Sequence, residues 1–120
     1  MPFSTGIITN TRATGTAATT VVVNTRNENL SAASTITIVL YASVDSHTFY
    51  TAYVTSFVIP PNSFDVRTFF ISGNVAYEVQ TNTSSPQVLF SVYGLDEFGN
   101  LVTEQGKLQA DLSFIGSLTL

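Results

Sequence analysis

The chain has no cysteine and no tryptophan, and its 120 residues include a single histidine. Without thiols there is no disulfide, no thiolate nucleophile and no cysteine metal site. With His47 as the one imidazole, the usual general base is confined to a single position. Charge is scarce too: 10% of residues are charged, against about 25% in an ordinary globular domain. The cations are Arg12, Arg26, Arg67 and Lys107, spread along the chain, and the net charge is −4. That leaves no basic footprint for nucleic acid. No apolar run approaches the roughly 18 residues of a membrane span.

Thr, Ser and Asn fill the polar positions instead. The hydrophobic content of 44% is ordinary for a globular protein, and the length fits one domain with a two-layer core. A weakly charged surface rich in hydroxyls suits an extracellular structural protein better than a cytosolic enzyme.

Strand signals run through the chain. "TAATTVVVNT" (16–25) is rich in β-branched residues. "STITIVLYASV" sets Ile36, Ile38 and Leu40 against Thr35, Thr37 and Val39, a period of two. "HTFYTAYVTSFVI" alternates in the same way until Pro60 and Pro61 force a turn. "FDVRTFFI", "VAYEVQT", "QVLFSVYGL" and "LVTEQ" follow, separated by the turn signals "SGN", "NTSSP" and "DEFGN". The last segment, "GKLQADLSFI", alternates most cleanly, with Leu108, Ala110, Leu112 and Phe114 expected to face inward. About eight strands with turns at this spacing predict an all-β, jelly-roll-like β-sandwich, with an immunoglobulin-like sandwich as the second choice.

Chemistry-bearing groups are few. Asp45, Ser46 and His47 lie side by side in a turn, where adjacency rarely gives triad geometry. The Asp96–Asn100 loop offers too few oxygens for the roughly 6–8 ligands of calcium, and it reads as a hairpin with Gly99 left-handed. No catalytic residue, metal site or cofactor is expected. Tyr41, Tyr50, Tyr53, Tyr77 and Tyr93 allow an alternative reading as a surface carbohydrate-binding module, since aromatic rings stack on sugars.

The stretch before the first strong strand, "MPFSTGIITNTRATG" (1–15), is a poor match for a signal peptide, because polar residues interrupt its apolar ones. It predicts an N-terminal connector ahead of a body over 16–120 that folds without it. Fully extended, it would place Phe3 and Ile7 on one face and Ile8 on the other. These three are the candidate subunit-interface residues. Their burial is worth about 1.5–3 kcal/mol each. Ordering the connector costs roughly 1–2 kcal/mol per residue, so contacts between bodies must add to it.

"VIPPNSFDVRTFFISGNVAYEVQT" and "VLFSVYGLDEFGNLV" together carry a resemblance. The features are the Pro60–Ser63 turn, the Arg67–Phe69 strand, the Ser72–Gly73 turn, Tyr77–Val79 and the Tyr93–Asn100 loop. The chain resembles the subunits of Bacillus-type endospore appendages, pilus-like fibres of the spore surface, over about residues 20–115. The resemblance implies a jelly-roll body whose N-terminal connector docks on a neighbouring copy by strand addition. It implies a head-to-tail homopolymer with anchor and tip partners, located extracellularly on the spore. The better-known members carry cysteines in the connector. This chain has none, which is more like a non-covalent, strand-exchanging type.

Overall fold

The computed structural model describes residues 1–120. Ten strands form two sheets, and the one helical element is a 3-10 turn over Gln109–Asp111. In chain order they are β1 (Pro2–Ser4), β2 (Ile8–Thr9), β3 (Thr20–Asn27), β4 (Ser34–Ser43), β5 (Tyr50–Ile59), β6 (Ser63–Phe70), β7 (Ala76–Thr83), β8 (Val88–Leu95), β9 (Leu101–Lys107) and β10 (Ser113–Phe114). The first sheet runs β10-β1-β7-β4-β5, with β2 also on β7, and the second runs β6-β3-β8-β9.

All pairs are antiparallel. β4 lies beside β7 and β3 beside β8. β4 also pairs with β5, β3 with β6, and β1 and β2 with β7, so a long hairpin, β1-β4 against β5-β7, is rolled with its successive pairs in alternate sheets. That is the jelly-roll form of the β-sandwich expected from the alternation.

The inward phase of each long strand is branched and apolar. Ile36, Ile38 and Leu40 of β4 and Val79 of β7 face Val21 and Val23 of β3 and Phe90 and Val92 of β8, all fully or almost fully buried. Burying each contributes about 1.5–3 kcal/mol. The turns follow the sequence signals: Asn62, after Pro61, takes a φ of 51°, and Gly73 takes 88°.

Three expectations need correction. Residues 16–19 do not join β3, which begins at Thr20. "GKLQADLSFI" is not one strand: β9 ends at Lys107, only Ser113–Phe114 pairs again as β10, and Leu108, Ala110 and Phe114 are exposed. There the Asp111 carboxylate accepts from the Leu108 amide at 3.0 Å, and this local bond competes with the ladder. Finally, Asp65 and Arg67 of β6, which polarity alone would put on a solvated sheet face, do not lie on one. They share the inward phase with the buried Phe69, and Phe64, Val66 and Phe70 point outward. The register with β3 decides this, pairing Phe69 with Val21 and Asp65 with Thr25, both buried.

Candidate docking segment

Residues 1–15 belong to the sandwich in the single chain. β1 fits between β7 and β10, and β2 continues along the same edge of β7. The boundary expected at residue 15 has no counterpart in this packing, because β2 contributes Ile8 to the core. The face assignment changes as well. Gly6 has a φ of 68°, which breaks the extended run. Phe3 pairs with Thr81 and Ile8 with Tyr77, so both turn inward, while Ile7 is 65% exposed. The expected pairing of Phe3 with Ile7 assumed unbroken alternation, and a left-handed glycine shifts the phase.

Phe3 meets Phe114 of β10 edge-to-face, with ring centroids 6.1 Å apart. Ser4 donates from its hydroxyl to the Glu78 carboxylate and accepts from the Gly6 amide. The C-terminal residues then cross the outer face of the same sheet. Thr119 donates from its amide to Gln80 Oε1 at 3.0 Å and from its hydroxyl to the Tyr41 oxygen at 2.9 Å.

The strongest hold on the leader is Asn10, which is fully buried. Its amide nitrogen donates to the carbonyls of Ala18 and Asn74. Its carbonyl oxygen accepts from the Ala18 amide and, at 2.7 Å, from Gln105 Nε2 of β9. Gln105 in turn accepts from the Tyr77 hydroxyl at 2.7 Å. Burial pushes the Tyr77 phenol far above its ordinary range, so it stays a neutral donor. Gly94 of β8 makes room for this network: a Cβ there would stand 2.2 Å from Gln105 Oε1. The chain thereby ties leader, both sheets and the 16–19 segment to one polar centre. Asn10 and Gln105 do not stand out from the sequence, because buried amides look like surface ones until the partner is placed.

The other chemistry-bearing groups are used locally. Asp45 accepts from the amides of His47 and Thr48 and from the Ser43 hydroxyl, and these bonds hold its carboxyl below the usual range. His47 and Ser46 are exposed on that turn, with no positioned base–nucleophile contact. Asp96 likewise accepts from the amides of Phe98 and Asn100, closing a hairpin with Gly99 at a φ of 81°. No three acidic or imidazole groups converge. The tyrosines do not make one platform. Tyr50 donates to Asn74, Tyr53 to the Phe70 carbonyl and Tyr77 into the core.

No protein-family model matches the chain. No curated protein matches it either. A solved structure titled "Crystal Structure of Thermotoga maritima 1070" superposes with a TM-score of 0.52 at 11% identity. The match covers 89% of this chain and 90% of that one. The likeness is one of fold, and the class it supports is the two-sheet all-β sandwich. No helix is long and apolar enough to cross a membrane.

Proposed function

We propose that the chain is a structural subunit of a non-covalent, pilus-like extracellular filament. Its leader leaves its own slot and fills the same slot in the next copy. The observation that carries this reading is the leader's mode of attachment. Its contacts from Phe3 on Phe114 to Asn10 on Gln105 lie in a slot bounded by β7, β9 and β10, closed at one end by the Ala18 backbone and the Asn74 carbonyl that Asn10 also bonds. A leader from any copy satisfies those contacts equally. The segment that follows, residues 11–15, is exposed and makes one isolated bridge, Thr11 with Thr16, and the surface Arg12–Glu97 pair but no strand, whereas residues 16–19 stay held by Asn10, Leu95 and Ile71. The exposed segment can re-aim at little cost, which is the condition for exchange of a terminal strand.

The scarcity of charge and the absence of cysteine fit a subunit of an extracellular surface fibre held without covalent links. The likeness to endospore appendage subunits supports a spore-surface location. Copies related head-to-tail by a rotation that does not close run on as a fibre, which is the product on this reading.

The test uses the lack of native cysteine. Ser4 and Gln80 stand opposite one another across β1 and β7, within the reach of a disulfide for a directly opposed pair. Ser4→Cys/Gln80→Cys protein is assembled in reductant, oxidised and run on a denaturing gel. Exchange gives a ladder of covalent multimers. Monomer alone, or failure to assemble, overturns the reading.

A further inference from the structure

The outer face of the second sheet carries an unfilled apolar groove. Its walls are Phe64 and Val66 of β6 on one side and Leu108 on the other, and Leu89 of β8 lies along it. Phe64 is 73% exposed. Asn24 and Ser91 form the floor, bonded to each other at 3.1 Å. Arg26 lines the groove, and its guanidinium bonds Asn62 and the carbonyls of Asn27 and Ser63. It has no carboxylate partner.

The same face ends in a projecting aromatic. Phe98, 80% exposed, sits on the β8–β9 hairpin directly after Asp96 and Glu97. The hairpin is fixed in shape. Asp96 accepts from the amides of Phe98 and Asn100, its carbonyl accepts from the Gly99 amide, and Glu97 is paired with Arg12 at 2.8 Å. A single exposed ring is ordinary on a surface; what distinguishes Phe98 is the rigid turn that presents it beside Asp96, a carboxylate with no cationic partner.

Phe98 cannot reach the groove of its own chain. Between Leu89 and Leu95 the strand advances roughly 20 Å at about 3.3 Å per residue, and the hairpin extends further from the groove. We infer that the Phe98 hairpin of one copy seats in the Phe64–Leu89–Leu108 groove of a second copy, with Asp96 of its turn toward Arg26. Knob and groove are different patches at different ends of β8, so the contact is heterologous and can repeat along an open chain. Asp96, the carboxylate of the turn with no cationic partner in its own chain, and Arg26, with no carboxylate partner, give it polarity.

This contact rests on the reading of the chain as a self-assembling subunit and supplies the body-to-body term that the leader needs. Sedimentation velocity of the full chain, over a concentration series, tests it. Phe98→Ser and Leu89→Asp both change exposed side chains, and unchanged thermal melts verify that the fold is kept. Each variant alone should weaken association at least tenfold. Mixed in equal amounts, the two retain one intact knob and one intact groove, so they should form heterodimers and stop there. Association of Phe98→Ser within twofold of the unmodified chain, or a mixture that stays monomeric, overturns the contact. Normal assembly of Phe98→Ser with a Ser4–Gln80 ladder leaves leader exchange standing alone. Loss of assembly in both variants, heterodimers in the mixture and only intramolecular Ser4–Gln80 links leave the knob contact standing alone.

Discussion

On one flank of the sandwich, between β9 and the β10–β1 edge, the two ends of the chain fill the gap. On the other, between β5 and β6, side chains alone span it. The filled flank has a backbone ladder on both sides of β1, a core residue in Ile8 and the Asn10–Gln105–Tyr77 network. The open flank has the Tyr53 hydroxyl on the Phe70 carbonyl, Tyr53 tilted against Phe69, and Arg67 over the Phe57 ring at 3.7 Å. It also has the Asp65–Arg67 pair turned inward, a device that discourages another strand from adding to β6. The two flanks thus protect their edges differently, one by covering them and one by placing charge beside them. Only the covered flank is closed by the chain ends.

The first way to break this comparison is to remove the centre of the filled flank. Asn10→Ala deletes four hydrogen bonds and leaves the Asn74 carbonyl and Gln105 amide without their partner. Buried polar groups left unpaired cost about 1–3 kcal/mol each, so the loss should be about 3 kcal/mol or more in urea unfolding. A loss under about 1 kcal/mol would mean water replaces the side chain and the network does not hold the leader.

The leader itself gives the next contrast. Ile8→Ala removes methyl groups from the core, which typically costs about 2–5 kcal/mol, and its place at the core edge puts the expectation near the lower end. Ile7→Ala, one residue away, changes an exposed side chain and should stay within about 0.5 kcal/mol. Equal effects at the two positions would show that Gly6 does not set the phase of the leader. The expectation that a body from Thr16 onward folds alone is tested at the same residues. Deleting the leader uncovers the Ile8 site and unpairs the Gln105 amide, so the truncated chain should be measurably less stable.

The flanks also differ in how far they are legible without coordinates. β4 through β8 are long, β-branched and cleanly alternating, and Pro60–Pro61 and Gly73 mark their turns. Local preference and tertiary pairing agree there. In the leader no local preference is strong. Its strands are three and two residues long, and their place is set by β7, Asn10 and Gln105 from outside. The C-terminal segment shows the opposite failure. Its alternation at Leu108, Ala110 and Leu112 is strong, yet Asp111 closes a local turn and Gln109 offers its side-chain oxygen to the Phe90 amide at 2.8 Å. A side chain there takes the place of a strand. On β6 the alternation was visible but not its sense, because apolar residues occupy both phases and only pairing with β3 selects Phe69 over Phe70.

The smallest effect separates the flanks by titration. Two exposed carboxyls lie below their usual range in the folded chain. Glu97 is lowered first by its bond to Arg12, which follows the leader's last strand. Asp45 is lowered first by the backbone amides of His47 and Thr48 in its own turn. Because folding depresses both, each contributes stability that is present above the unfolded carboxyl value near about 4 and fades as pH falls through the folded value. Both are solvent-exposed, so the change in overall stability is small, and site-resolved carbon NMR of the carboxyls is the useful measurement. Arg12→Gln should return Glu97 towards the ordinary range and leave Asp45 where it is, because Asp45 depends on nothing outside its turn. A Glu97 that stays low in Arg12→Gln would show that the hairpin, and not the segment following the leader, holds that carboxylate.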